Sequence, residues 1–255
     1  MNVMNYWNHK KVCIFKNSKV VADFAIKRWR EISLQSIANR GFFAVALSGG
    51  ETPVYFYKRL SSYNGTLPWD RTHIFWADER YIPPDNNDSN YYLIKEHLLK
   101  SIHIPEKNIH PVPTQEETLD RSAKKYEEDI RRFFALGDDT FPEFDLIMLG
   151  IGEDGHTASL FPGTLSIQEQ KRLAIPVITE RFPKERISLT LTVINNAKNI
   201  IFLVNGVHKA SIVKEILEDK KSAHPAALVE PKDGTVLLVM DRKAASLLSH
   251  KKGKQ

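Results

Sequence analysis

Residues 42–60 read FFAVALSGGETPVYFYKRL, and three local signals follow one another along them. Phe42 to Leu47 is an unbroken apolar run of strand length, and Ser48-Gly49-Gly50 interrupts it. From Thr52 the apolar spacing turns helical, with Thr52 as the expected N-cap and Pro53 as the first helical residue. A strand that stops at glycines and passes at once into a helix is a βα unit.

The same alternation extends outward. Short apolar runs at 11–15, 73–77, 144–149, 200–204 and 236–240 read as buried strands, and amphipathic stretches fill the gaps between them. The spacing predicts a helix over 18–39, and Thr114 with Glu117 fits a capping box that opens another. Alternation of this kind predicts an α/β fold: a mostly parallel sheet with helices on both faces, in a single domain over 1–255 that ends in a basic tail at 251–255. In such folds ligands bind beyond the carboxyl ends of the strands, so the loops there are the places to look for chemistry.

Composition excludes several classes. Of 255 residues 42% are hydrophobic and 26% charged, as in ordinary globular proteins. The net charge is +5, but Lys251, Lys252 and Lys254 supply three of those charges, and no Lys/Arg run with interleaved aromatics occurs in the interior. No nucleic-acid partner is expected. The lone cysteine, Cys13 in KVCIF, allows no internal disulfide and points to a reducing compartment. The segment MNVMNYWNHKK lacks a signal-peptide core, and no run approaches the roughly 18 apolar residues of a membrane span. The expectation is a cytoplasmic protein without a membrane partner; the sequence says nothing about its oligomeric state.

Three strand-end loops carry polar groups. Ser48, Gly49, Gly50 and Thr52 outline a phosphate cradle, in which glycines admit an oxyanion to free N–H groups at the positive end of a helix. Composition alone allows an ordinary tight connection equally well. No GK[ST] follows, so it is not a Walker loop, and Ser48 lacks the GxSxG frame of a nucleophile elbow. The second loop, LGIGEDGHTASLFPG at 149–163, satisfies GxGxxG, but Pro162 and Gly163 cut short the helix a dinucleotide needs, and Glu153 and Asp154 place carboxylates where a pyrophosphate would lie. Its glycines instead project His156 into the crevice, with Asp154 as an acidic neighbour to orient it. Imidazole titrates at about pH 6.5 when unperturbed, which suits a general base. The third loop, WADERYIPPDNNDSNY, sets Asp78 and Arg80 at a strand end, Arg80 suited to an anion and Asp78 to a hydroxyl or a histidine. Arg186 in RISLTLT and Lys209 in NGVHKA are further cations able to clamp a phosphate. The nine histidines show no metal-ligand spacing.

In order and spacing, SGGETP, WADERYIPPDNNDSNY, GIGEDGHTASLFPG, RISLTLT and NGVHKA resemble the 6-phosphogluconolactonase family over nearly the whole chain. The joint presence of GEDGHTASLFPG and DER is the most specific part. The SGG and GxxKA elements are shared with glucosamine-6-phosphate deaminases. The resemblance implies a Rossmann-like fold, no cofactor or metal, and a small sugar-phosphate lactone as substrate. It implies His156 as general base with Asp154 beside it, Asp78 and Arg80 as active-site polar groups, and Arg186, Lys209 and the Ser48–Thr52 loop as the phosphate pocket.

One departure is Glu51, where members of that family more often carry Ser, Thr or Arg. Its side chain is expected to point away from the phosphate. Two other functions are to be weighed. A deaminase-like isomerase on the same fold has an acidic residue after its loop histidine, whereas Thr157 to Phe161 contain none here. A non-catalytic sugar-phosphate sensor of a transcription regulator would need a DNA-binding head, for which about ten residues before the first strand leave no room.

Overall fold

The computed structural model describes residues 3–7, 10–63 and 65–249. The predicted basic tail at 251–255 lies outside them. The main sheet has eight strands, named in chain order: β1 (Val3–Trp7), β2 (Lys10–Phe15), β3 (Phe43–Leu47), β4 (Thr72–Trp76), β6 (Ile109–His110), β7 (Leu146–Leu149), β10 (Asn199–Val204) and β11 (Thr235–Asp241). Their order is β1-β2-β11-β10-β7-β3-β4-β6, and all neighbours are parallel except the antiparallel β1–β2 pair. A smaller antiparallel sheet, in the order β5-β9-β8, joins β5 (Asp78–Arg80), β9 (Glu185–Leu189) and β8 (Ala174–Ile178).

Helices cover both faces, as the alternation predicts. Helix α1 (Ser18–Arg40) buries Val21, Ala22, Ala25, Ile26, Trp29 and Ile32, a stripe at helical spacing. Asn17 caps it by accepting from Val20 N at 3.1 Å. Trp29 packs on Phe43 with ring centroids 5.2 Å apart. Register pairs Phe43 with Thr72 and Leu47 with Trp76, so these side chains share that face, and Trp76 meets Tyr91 of α3 (Asn90–His97) there. The opposite face carries Phe75, which packs edge-on to Phe133 of α4 (Leu119–Phe134) at 5.2 Å. Cys13 is buried on β2, and burial pushes its thiol up, away from the reactive thiolate, against the pull of Arg28 and Lys11. Among the described residues no helix is long and apolar enough to cross a membrane.

Several boundaries depart from the sequence reading. Helix α2 (Glu51–Leu60) starts two residues earlier, with Gly50 as N-cap in place of Thr52 and no side-chain cap bond. The start of α4 is Thr118, whose hydroxyl accepts from Arg121 N at 3.2 Å, while Thr114 lies in the preceding loop. Helix α3, strand β1 and the small sheet were not anticipated. In the small sheet β8 and β9 form a local hairpin, but β5 pairs with β9 about a hundred residues away, a connection that no local pattern reveals.

Candidate active site

Six loops meet at the carboxyl ends of β3, β4, β7 and β10 around a cleft of about 330 Å³. Ser48, Gly49, Gly50, Thr52, Asp78, Arg80, His156, Arg186 and Lys209 all line it. Asp154 stands directly behind His156.

The loop after β7 is shaped around the imidazole. A Cβ at Gly152 would fall 2.0 Å from His156 Nδ1, so only glycine lets the ring lie against this backbone. His156 Nδ1 is 2.5 Å from Asp154 Oδ1, and Oδ1 also accepts from His156 N at 3.2 Å. Asp154 Oδ2 pairs with Arg181 at 3.0 Å. Burial works against ionisation of Asp154, but the hydrogen bond from His156 and the charges of His156 and Arg181 outweigh it and hold the carboxyl well below the usual range. Phe161 flanks the imidazole at a centroid distance of 4.6 Å, and the Arg186 guanidinium lies 5.5 Å from the same ring.

The β3–α2 turn forms the opposite wall. Gly50 has φ +107°, open to glycine, and no side chain caps the helix it starts, so the first-turn N–H groups face the cleft. Tyr57 steadies the turn by donating to the Ser48 carbonyl at 2.6 Å, while the buried Ser48 hydroxyl has no partner among the described residues.

Asp78 accepts from Ser159 Oγ at 2.7 Å and from Asn90 Nδ2 at 3.3 Å. Its neighbour Glu79 is 1% exposed and accepts from the N–H groups of Arg80 (2.7 Å), Asn90 (2.7 Å) and Tyr91 (2.6 Å). Burial pushes Glu79 up to about 7 in spite of those bonds. Arg80 donates through Nη1 to the Asp88 carbonyl at 2.5 Å. Burial lowers the pKa of Arg186, with Asp78 opposing, and that of Lys209, with Glu153, Asp154 and Glu51 opposing. The cleft is thus a set of cations balanced by carboxylates.

Glu51 borders the cleft at the start of α2. It is exposed, yet it lines the cleft, and its charge acts on Lys209. In the first turn of α2 its carboxylate is favoured by the helix dipole.

The family described as Glucosamine-6-phosphate isomerases/6-phosphogluconolactonase matches residues 16–238. This chain belongs to that family. A 6-phosphogluconolactonase of Synechocystis is 36% identical over 240 residues, covering 93% of this chain and 98% of the relative. One from Rattus norvegicus is 39% identical and covers 83% and 82%. The crystal structure of a Thermotoga maritima 6-phosphogluconolactonase is 32% identical, with a TM-score of 0.78 over 90% of this chain and 98% of that one.

Within this frame of the glucosamine-6-phosphate isomerase/6-phosphogluconolactonase family, sequence reasoning overlooked Asn90, Ser159 and Arg181. Asn90 had a local signal: Ser89 before YYLIKEH is an N-cap, and its hydroxyl does accept from Tyr92 N at 3.2 Å. Ser159 and Arg181 had none, because each reaches its partner across more than twenty residues of chain. Among the described residues no group of three His, Cys, Asp or Glu side chains is placed to hold a metal ion.

Proposed function

We propose that this chain hydrolyses 6-phosphoglucono-1,5-lactone to 6-phosphogluconate, the second step of the oxidative pentose phosphate pathway. The observation that carries this reading is the Asp154–His156 pair, which opens into the same cleft as an uncapped helix N-terminus and the cations Arg186 and Lys209. One end suits proton transfer and the other a dianion.

The substrate phosphate has its second pKa at about 6 and is mostly doubly charged at neutral pH. The Ser48–Thr52 turn, Arg186 and Lys209 hold it. With Nδ1–H donated to Asp154, the Nε2 lone pair of His156 removes a proton from water as the oxygen attacks the lactone carbonyl. The tetrahedral oxyanion is met by backbone N–H groups or by Arg80. Collapse breaks the bond to the ring oxygen, which takes the proton back from His156, so one group serves as base and then as acid. Neither a covalent intermediate nor a cofactor enters these steps. The single buried thiol fits a cytoplasmic setting.

The test is a hydrolysis assay on freshly prepared 6-phosphoglucono-δ-lactone beside glucosamine 6-phosphate, with and without chelator. Lactone opening well above the spontaneous rate, with no ammonia released, is expected. Ammonia release equal to or faster than lactone opening would replace this reading by a deaminase. Sugar-phosphate binding without either reaction would leave a sensor.

A further inference from the structure

The segment between β8 and β9 turns back over the cleft, and three bonds shape the turn. Thr179 N donates to the Lys184 carbonyl at 2.9 Å, Arg181 N donates to Thr179 Oγ1 at 3.3 Å, and Arg186 Nε donates to the Pro183 carbonyl at 3.0 Å. These bonds carry the Arg181 guanidinium from the small sheet to the loop that bears His156. There it meets Asp154 Oδ2, the oxygen that His156 does not use.

We propose that Arg181 is a positioning residue for the hydrolytic pair: it pins Asp154 Oδ2 so that Oδ1 stays on His156 Nδ1, and so fixes the imidazole in the tautomer whose Nε2 faces the water. The kinetic part rests on the lactonase reading; the tautomer does not.

The physical need is plain. A neutral imidazole carries its proton on either nitrogen, and only the Nδ1–H form leaves Nε2 free to act as a base. A carboxylate selects that form while its acceptor oxygen points at Nδ1. The Asp154 side chain is 31% exposed, so water competes for its oxygens, and rotation about its terminal torsion costs little. The bond from His156 N to Oδ1 at 3.2 Å restrains one oxygen, and Arg181 supplies the second point that fixes the plane. Among the described residues no other Lys or Arg lies within ion-pair distance of Asp154. Lys209 acts on it only through its field, shared with Glu153 and Glu51. Arg181 is itself 51% exposed, so the effect is one of orientation and modest in size.

Arg181→Gln, Arg181→Lys, Asp154→Asn and the Arg181→Gln/Asp154→Asn double variant test this. Steady-state kinetics on the lactone are paired with ring ¹⁵N spectra of His156 at pH 8. Arg181→Gln is expected to lower kcat about fivefold with little change in KM and to move the imidazole from Nδ1–H toward a mixture of tautomers. Arg181→Lys should restore both, and Arg181→Gln should add nothing in the Asp154→Asn background. An unchanged tautomer in Arg181→Gln overturns the proposal. So does a rise in KM confined to the phosphorylated lactone, which would make Arg181 a phosphate contact. A wild-type protein without lactonase activity would sink the functional reading alone, since the spectra still report the coupling.

Discussion

Asn90 Oδ1 lies against Gly49 so closely that a Cβ at position 49 would fall 1.8 Å from it. Asn90 has little freedom to retreat, because Nδ2 donates to the Asp78 carbonyl at 2.8 Å and its N–H donates to Glu79 Oε1 at 2.7 Å. The contact ties the β3–α2 turn to the Asp78 strand. Gly49→Ala is therefore expected to destabilise the fold by about 1–3 kcal/mol and to lower lactone hydrolysis by displacing Asn90. Thermal unfolding and kinetics measure both. Gly137→Ala, where a Cβ meets nothing within 4 Å, is the control and should leave both nearly unchanged.

His156→Ala should lower turnover by roughly a hundredfold to ten-thousandfold, the usual contribution of a positioned base, with an unchanged circular dichroism spectrum. The ring is not needed for folding, since its neighbour Phe161 is also packed against Arg186. Turnover near the wild-type value would remove His156 from the mechanism.

Lys209→Met should raise KM for the phosphorylated lactone about tenfold and leave the parent lactone, which lacks phosphate, unaffected. Arg186→Ala should show the same selectivity and also a lower melting temperature, because Arg186 is 6% exposed and its Nε bonds the Pro183 carbonyl. Equal impairment of both lactones would show that the residue does not bind the phosphate.

The Glu79 carboxyl, pushed up to about 7 by burial, sets a pH dependence of stability. Between its ordinary value and 7 the folded state holds a proton that the unfolded chain has lost. The stability tied to that proton is fully present below the unfolded pKa and is lost as pH rises through about 7. Melting temperatures from pH 5 to 8 should fall more steeply for wild type than for Glu79→Gln, by up to about 2–3 kcal/mol in free energy. Parallel profiles would refute the shift.

Much of the main sheet was legible because its signals are local. The apolar runs that became β3, β7, β10 and β11 are buried along nearly their whole length, as strands covered on both faces must be. The glycine-rich ends of β3 and β7 stand out for the same reason: a tight turn or a close approach leaves glycines where no other residue fits. Capping was less legible. Thr52 satisfies the pattern of an N-cap as well as any residue, yet the helix starts at Glu51 after Gly50, whose φ of +107° suits a residue without a Cβ.

By itself the sequence marked the runs that became β2, β3, β4, β7, β10 and β11, the long helix α1 and the loops that break them, and it offered His156, Asp154, Asp78 and the cations Arg80, Arg186 and Lys209 as candidates, because each of these signals depends on residues within a few positions of one another. The small sheet was decided only in three dimensions. Pairing Asp78 with Ser188 and Arg80 with Arg186 depends on a register between segments that the intervening fold must first bring together. That register buries Ser159 against Asp78 and turns Arg181 toward Asp154. An ion pair between residues 27 positions apart has no periodicity to betray it, since its energy depends on a distance that only the closed fold supplies.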